Sequence, residues 1–223
     1  MVSSPFPEYV GFAVKTINDL GNYSLTPEEL KLISPRAVEK RRIEFILGRA
    51  ACNSALRNIG FSSPPPVLRG KSNEPIWPEG YVGAITHTKN IAICALCPRT
   101  KAGGIGVDLE EIEGDVSLDV YNIVCLDQEL KWVLKDQSQS TLRFKQIFSA
   151  KEAAFKAFYP QVHEFLNFKD AILSWDDEEA RFFGELLGPV GNAYPKGYGF
   201  EVGSLIVDGL VFSFILLPPK CQL

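Results

Sequence analysis

Residues 91–96 read Ile-Ala-Ile-Cys-Ala-Leu, an apolar run with no polar break. That pattern predicts a strand buried on both faces. Upstream, Ile43, Ile46, Leu47, Ala50, Ala51 and Leu56 recur at helical spacings, which predicts one face of a long helix. Ser34-Pro35 supplies its start signal and Asn58-Ile59-Gly60 its stop, with Gly60 suited to the residue after the cap. A shorter helix start precedes it at Thr26-Pro27-Glu28-Glu29. Strands are predicted at 9–14, 81–86 and 105–110, with a Pro-rich, turn-rich excursion between 62 and 80.

A polar linker over 111–117 divides the chain into residues 1–110 and 111–223. Beyond it the pattern restarts. Helices are predicted at 126–135 and 144–158, the second ended by Tyr159-Pro160. Strands follow at 171–175, 181–187, 200–207 and 210–217, the last two joined by the hairpin dipeptide Asp208-Gly209. Helices mixed with antiparallel strands define the α+β class.

Composition narrows the possibilities. At 46% hydrophobic and 22% charged, 223 residues suit a folded globular protein of one or two domains. A net charge of −4 does not suggest nucleic-acid binding. The five cysteines, Cys52, Cys94, Cys97, Cys125 and Cys221, are odd in number and unevenly spread. That argues for a reducing compartment rather than a disulfide framework. The opening Met1-Val2-Ser3-Ser4-Pro5 has neither a basic nor an apolar signal region, and no stretch suits a membrane span. The expectation is a cytoplasmic protein that contacts no membrane.

Two stretches carry chemistry. In Gly103-Gly104-Ile105-Gly106-Val107-Asp108-Leu109-Glu110, two carboxylates at i and i+2 share a strand face. In Phe148-Ser149-Ala150-Lys151-Glu152-Ala153-Ala154-Phe155-Lys156, Glu152 and Lys156 share a helix face. If the two meet, Asp108, Glu110 and Glu152 converge, and three like charges need a cation. All-oxygen ligands suit Mg2+, which completes its shell with water and substrate phosphates. Lys156 is then placed for a phosphate. Simpler readings exist: a solvated strand end, or a capping box from Ser149 to Glu152. Arg42 and Arg49 fall near one helical stripe, and a charge at Arg49 among small apolar residues calls for a partner. Thr86 and His87, at a strand end, can donate to a phosphate. Gly70-Lys71-Ser72 lacks the earlier glycine of a P-loop, and Gly104-x-Gly106 precedes a strand, which excludes a dinucleotide fingerprint.

Taken together, Gly-Val-Asp-x-Glu and Phe-x-x-Lys-Glu-Ala-x-x-Lys resemble the signature pair of the 4′-phosphopantetheinyl transferases. The likeness extends to Lys40-Arg41-Arg42-x-Glu44-Phe45-x-x-Gly48-Arg49 and to Glu74-Pro75-x-Trp77-Pro78-x-Gly80-x-Val82-Gly83-x-Ile85-Thr86-His87, covering roughly residues 35–160. It is closest to the larger, single-chain group of siderophore, nonribosomal peptide and polyketide pathways. Phe148 stands where many members carry Trp, Thr86 where Ser is frequent, and Asn73 near a position often basic.

The resemblance implies two similar α+β halves about a pseudo-twofold axis, each with helices on a mainly antiparallel sheet. It implies a monomer that moves the 4′-phosphopantetheine arm of coenzyme A to a serine of an apo acyl or peptidyl carrier protein, releasing adenosine 3′,5′-bisphosphate. Asp108, Glu110 and Glu152 would hold Mg2+. Glu152, Lys156 and Asp108 would be catalytic, with Glu152 as base for the serine. Arg41, Arg49, Lys71, Thr86, His87, Asp108, Lys151 and Lys156 would bind coenzyme A. The carrier is expected to dock over 118–135, on apolar residues with a few basic ones. Two other readings share the residues: another Mg2+-dependent phosphate-handling enzyme, and a non-catalytic coenzyme A-binding regulator.

Overall fold

A computed structural model describes residues 2–114 and 116–219, so Cys221 lies outside the described residues. The elements in chain order are β1 (Gly11–Thr16), α1 (Pro27–Leu30), α2 (Glu39–Asn58), β2 (Leu68–Arg69), β3 (Pro75–Ile76), β4 (Tyr81–His87), β5 (Ile91–Pro98) and β6 (Gly104–Glu111). Then come α3 (Leu118–Val124), α4 (Asp127–Leu134), α5 (Ser140–Val162), β7 (Ala171–Asp176), β8 (Arg181–Leu186), β9 (Gly199–Val207) and β10 (Leu210–Leu217). The chain is α+β, and the strand pairings are antiparallel.

Three strands in the order β1-β5-β4 form one sheet, and five in the order β6-β10-β9-β8-β7 form another. Strand β5 lies at the centre of the first. Its Ile93, Ala95 and Cys97 face the second sheet, while Ala92, Cys94 and Leu96 face α2. Burial on both faces is why that run is uninterrupted. Three apolar layers result: under α2, between the sheets, and under α5.

Strand β6 alternates with equal clarity. Ile105, Val107 and Leu109 enter the layer between the sheets. Gly104, Gly106, Asp108 and Glu110 therefore face α5. A methyl group at Gly104 or Gly106 would collide with the backbone carbonyls of Ala157 and Ala153. The two glycines let the helix lie directly on the strand. That close approach brings Glu152 and Lys156, each one residue before an alanine of the contact, to the end of β6. Although β6 precedes the linker at 111–117, it pairs along its length with β10.

Three expectations about elements are corrected. Helix α2 begins at Glu39, because Ser34–Ala37 forms a turn and Arg42 donates back to the carbonyls of Pro35 and Ala37. Helix α5 runs from Ser140 through Pro160 to Val162. Proline at 160 gives up one intrahelical hydrogen bond, and burial of Phe158 and Tyr159 holds that turn. Ser149 is consequently mid-helix and fully buried, so the capping-box reading fails. The Asp208-Gly209 hairpin is present, with φ of 51° and 76°.

Candidate active site

Asp108 is 5% exposed. Its Oδ1 accepts hydrogen bonds from Lys156 Nζ at 2.6 Å and Thr86 Oγ1 at 3.3 Å, while its buried Oδ2 has no partner. Lys156 also donates to the Val107 carbonyl at 3.2 Å. Glu110 is held by Lys145 Nζ at 3.2 Å. Burial raises the Glu152 carboxyl above its ordinary range; Lys156 opposes this, and Asp108 and Glu110 add to it. Burial raises Glu110 as well, with Asp108 adding and Lys145 opposing.

The two signature stretches therefore meet, and their carboxylates feel one another. Among the described residues, however, no three His, Cys, Asp or Glu side chains close on a common point as a metal cage would require. The reason is local: ammonium groups of α5 hold Asp108 and Glu110. An acidic set made only of oxygen donors, with one buried lone acceptor on Asp108, fits a hard divalent ion that takes few protein ligands and keeps water or phosphate for the rest.

Beside this cluster lies a cavity of about 530 Å3 whose walls include Arg41, Arg49, Arg69 and His87. Arg49 is buried, stacks over the Phe45 ring at 4.5 Å, and has an unpartnered Nε. A buried guanidinium with a spare donor suits an anionic guest. The guanidinium of Arg69 lies 5.7 Å from the same ring. Burial lowers the pKa of His87; Glu44 opposes that, while Arg41 and Lys156 reinforce it. Two largely apolar cavities adjoin α5. One of about 580 Å3 includes Trp77, Tyr81 and Lys156, and one of about 510 Å3 includes Glu152, Ile123 and Phe168. Phe155 lines both.

Several expected coenzyme contacts are placed differently. Lys151 points into the core: its ammonium donates to Glu129 Oε2 at 2.8 Å and to the carbonyls of Val124 and Phe168. All three donors are spent there, so this lysine has none left for a coenzyme. Lys71 is exposed in a turn and lines neither the cationic cavity nor its larger neighbour. Thr86 is buried and gives its hydroxyl to Asp108, which makes it a support for a carboxylate rather than a phosphate donor. Arg42 closes the turn before α2. Gly48 lines the cationic cavity, and a methyl there would meet Ile85 at an ordinary 3.5 Å.

Arg69 and Lys145 were missed as site residues. Lys145 precedes Glu152 by seven residues, two helical turns, and that spacing was available to find it. Arg69 offered no such signal, since its place depends on the β2–β3 excursion folding against α2.

These features define a class: an α+β protein with a buried carboxylate paired with a lysine at the end of β6 and a cavity lined by cationic side chains. The 4′-phosphopantetheinyl transferase N-terminal domain model matches residues 28–97, and the 4′-phosphopantetheinyl transferase superfamily model matches 104–197. The chain is 35% identical over 195 residues to the 4′-phosphopantetheinyl transferase Svp of Streptomyces mobaraensis, spanning 86% of this chain and 78% of that protein. It is 33% identical to Npt of Nocardia iowensis over 85% of this chain and 87% of that protein. With PptT of Mycobacterium tuberculosis the identity is 30%, over 74% and 71%. The chain belongs to the 4′-phosphopantetheinyl transferase family, in its larger single-chain group, and is a transferase of that type. No helix among the described residues is long and apolar enough to cross a membrane.

Proposed function

We propose that the chain moves the 4′-phosphopantetheine arm of coenzyme A onto a serine hydroxyl of an apo acyl or peptidyl carrier protein, releasing adenosine 3′,5′-bisphosphate. The observation that carries this is the meeting of Asp108, Lys156 and Glu152 at the end of β6, next to the cationic cavity.

Asp108 and Glu152, with Glu110 beside them, would hold Mg2+, which supplies charge neutralisation at the pyrophosphate when bound. Lys156 has one donor beyond those given to Val107 and Asp108, and that donor serves a phosphate oxygen whose charge grows in the transition state. Thr86 fixes the rotamer of Asp108. Glu152, which lines the cavity bordered by Ile123, is the base for the serine proton, directly or through water. Arg41, Arg49, Arg69 and His87 hold the nucleotide end, so the diphosphate lies in line between nucleotide and serine.

The carrier docks on α3, where Leu118 and Ile123 are 65% and 62% exposed and Ile123 borders the cavity that contains Glu152. Basic Lys131 and Lys135 follow it in the chain and complement an acidic carrier. Both walls of the cleft come from one chain, so a monomer suffices. The unpaired, buried Cys52, Cys94, Cys97 and Cys125 suit a reducing cytoplasm.

Mass spectrometry of an apo carrier protein incubated with the enzyme, coenzyme A and Mg2+ tests this reading. The carrier should gain one phosphopantetheine group on serine. Breakdown of coenzyme A with no gain by any carrier would instead favour a hydrolase.

A further inference from the structure

The cationic cavity contains one residue of the wrong sign. Glu44 lines it, from one turn of α2 before Gly48, and is 6% exposed. Its Oε2 lies 3.3 Å from Arg41 Nη1 and 3.9 Å from His87 Nδ1, and its Oε1 lies 3.7 Å from Lys40 Nζ. Both Arg41 and His87 are exposed enough to turn toward a guest, whereas the carboxylate sits beneath them. A buried carboxylate at the floor of an anion pocket has two opposed effects. It orders a flexible arginine, which favours binding by about two- to tenfold, the range for one ordered side chain. It also repels any phosphate held by that arginine, by about a hundredfold for unit charges about six ångströms apart in a partly buried site. Repulsion is the larger effect.

We infer that Glu44 is a counter-charge that limits how tightly the cavity holds phosphate anions, so that the nucleotide product leaves after each transfer. This rests on the proposed reaction. Arg41, Arg49, Arg69 and His87 bind the nucleotide phosphates equally before and after the arm is transferred. Tight binding of that kind gains nothing in the chemical step and slows release. Glu44 offsets part of the pocket's positive charge while holding Arg41 and His87 in place. Glutamine at this position keeps the shape and still accepts from Arg41; it removes the charge, and the support that charge gives to a protonated His87 is lost with it, which trims the gain in affinity.

The test is calorimetric titration of adenosine 3′,5′-bisphosphate into the wild-type protein and the Glu44→Gln variant, at low and moderate salt. The variant should bind roughly three- to tenfold more tightly, with the difference shrinking as salt rises. Its turnover at saturating coenzyme A should fall while its KM for coenzyme A also falls. Glu44→Leu, similar in size and suited to a buried position, reads the same loss of charge if the amide is not tolerated. A gain in affinity is not what a damaged fold produces. Unchanged or weaker binding in a folded variant, with wild-type transfer intact, overturns the counter-charge and leaves the proposed reaction standing. A wild-type protein that neither binds the bisphosphate nor modifies a carrier overturns both.

Discussion

Lys151 and Lys156 are five residues apart on α5, about 140° around its axis. Lys151 is 4% exposed and gives three donors to three acceptors inside the core. Lys156 is 25% exposed, gives two, and lies at the edge of a cavity. Their carboxylate partners differ in the same way. Glu129 accepts from Lys151 and from the backbone amides of Leu126 and Leu173. Asp108 keeps one buried oxygen free, and no side chain among the described residues bonds to Glu152. A saturated buried pair ties α5 to α4 and β7 and is architecture. An under-satisfied set at a cleft leaves polar groups open to a guest.

Substitutions at the cleft, on β6 and α5, and on the core face of α5 should therefore fail in different ways. On the cleft face, Asp108→Ala and Glu152→Ala should each lower transfer by about a thousandfold while melting near the wild-type temperature. A variant with ordinary turnover sinks the metal and base assignments. On the core face, Lys151→Met strands Glu129 in the interior and should cost about 3–5 kcal/mol of stability. Chemical denaturation reads this, and the fraction that folds should still bind coenzyme A. A stable Lys151 variant that had lost coenzyme affinity would return this lysine to the site.

The next effect in size belongs to Lys156. Lys156→Ala should lower kcat by about a hundredfold and leave coenzyme KM within a few-fold, the pattern of a group that acts in the transition state. Arg49→Ala, across the cleft, should show the opposite split. KM for coenzyme A rises about tenfold as a charge-assisted phosphate contact is lost, and kcat changes little. Steady-state kinetics separates the two.

The smallest effect is on pH dependence. Glu110 and Glu152 are both raised above 4.5, chiefly by burial. At these two carboxyls the folded chain thus binds more protons than the unfolded chain as pH climbs from that value. Their contribution to metal-free stability should fall as pH rises through the raised values, and Glu152→Gln should remove its share of that fall. The difference between wild-type and Glu152→Gln denaturation midpoints across that range decides it; a difference that does not change with pH contradicts the raised Glu152 carboxyl.

What could be read before folding was periodic. Alternation along Gly104 to Glu110 places two glycines and then two carboxylates on one side of a strand, and four-residue spacing pairs Glu152 with Lys156. The uninterrupted run 91–96 announced a central strand for the same reason. Helix ends were less legible: Pro160 stays helical because its neighbours are buried, and α2 waits until Glu39 because a turn before it is held by Arg42. Partners were least legible. Whether a lysine meets Glu129 or Asp108, whether Thr86 serves a phosphate or a carboxylate, and whether Arg69 or Lys71 reaches the cavity all turn on segments tens of residues apart. Backbone geometry repeats at fixed intervals along a chain, so sidedness is a local property that composition and spacing already contain. Satisfaction of a polar group is not local; it depends on what the packed neighbours leave available, and that exists only once the layers have closed.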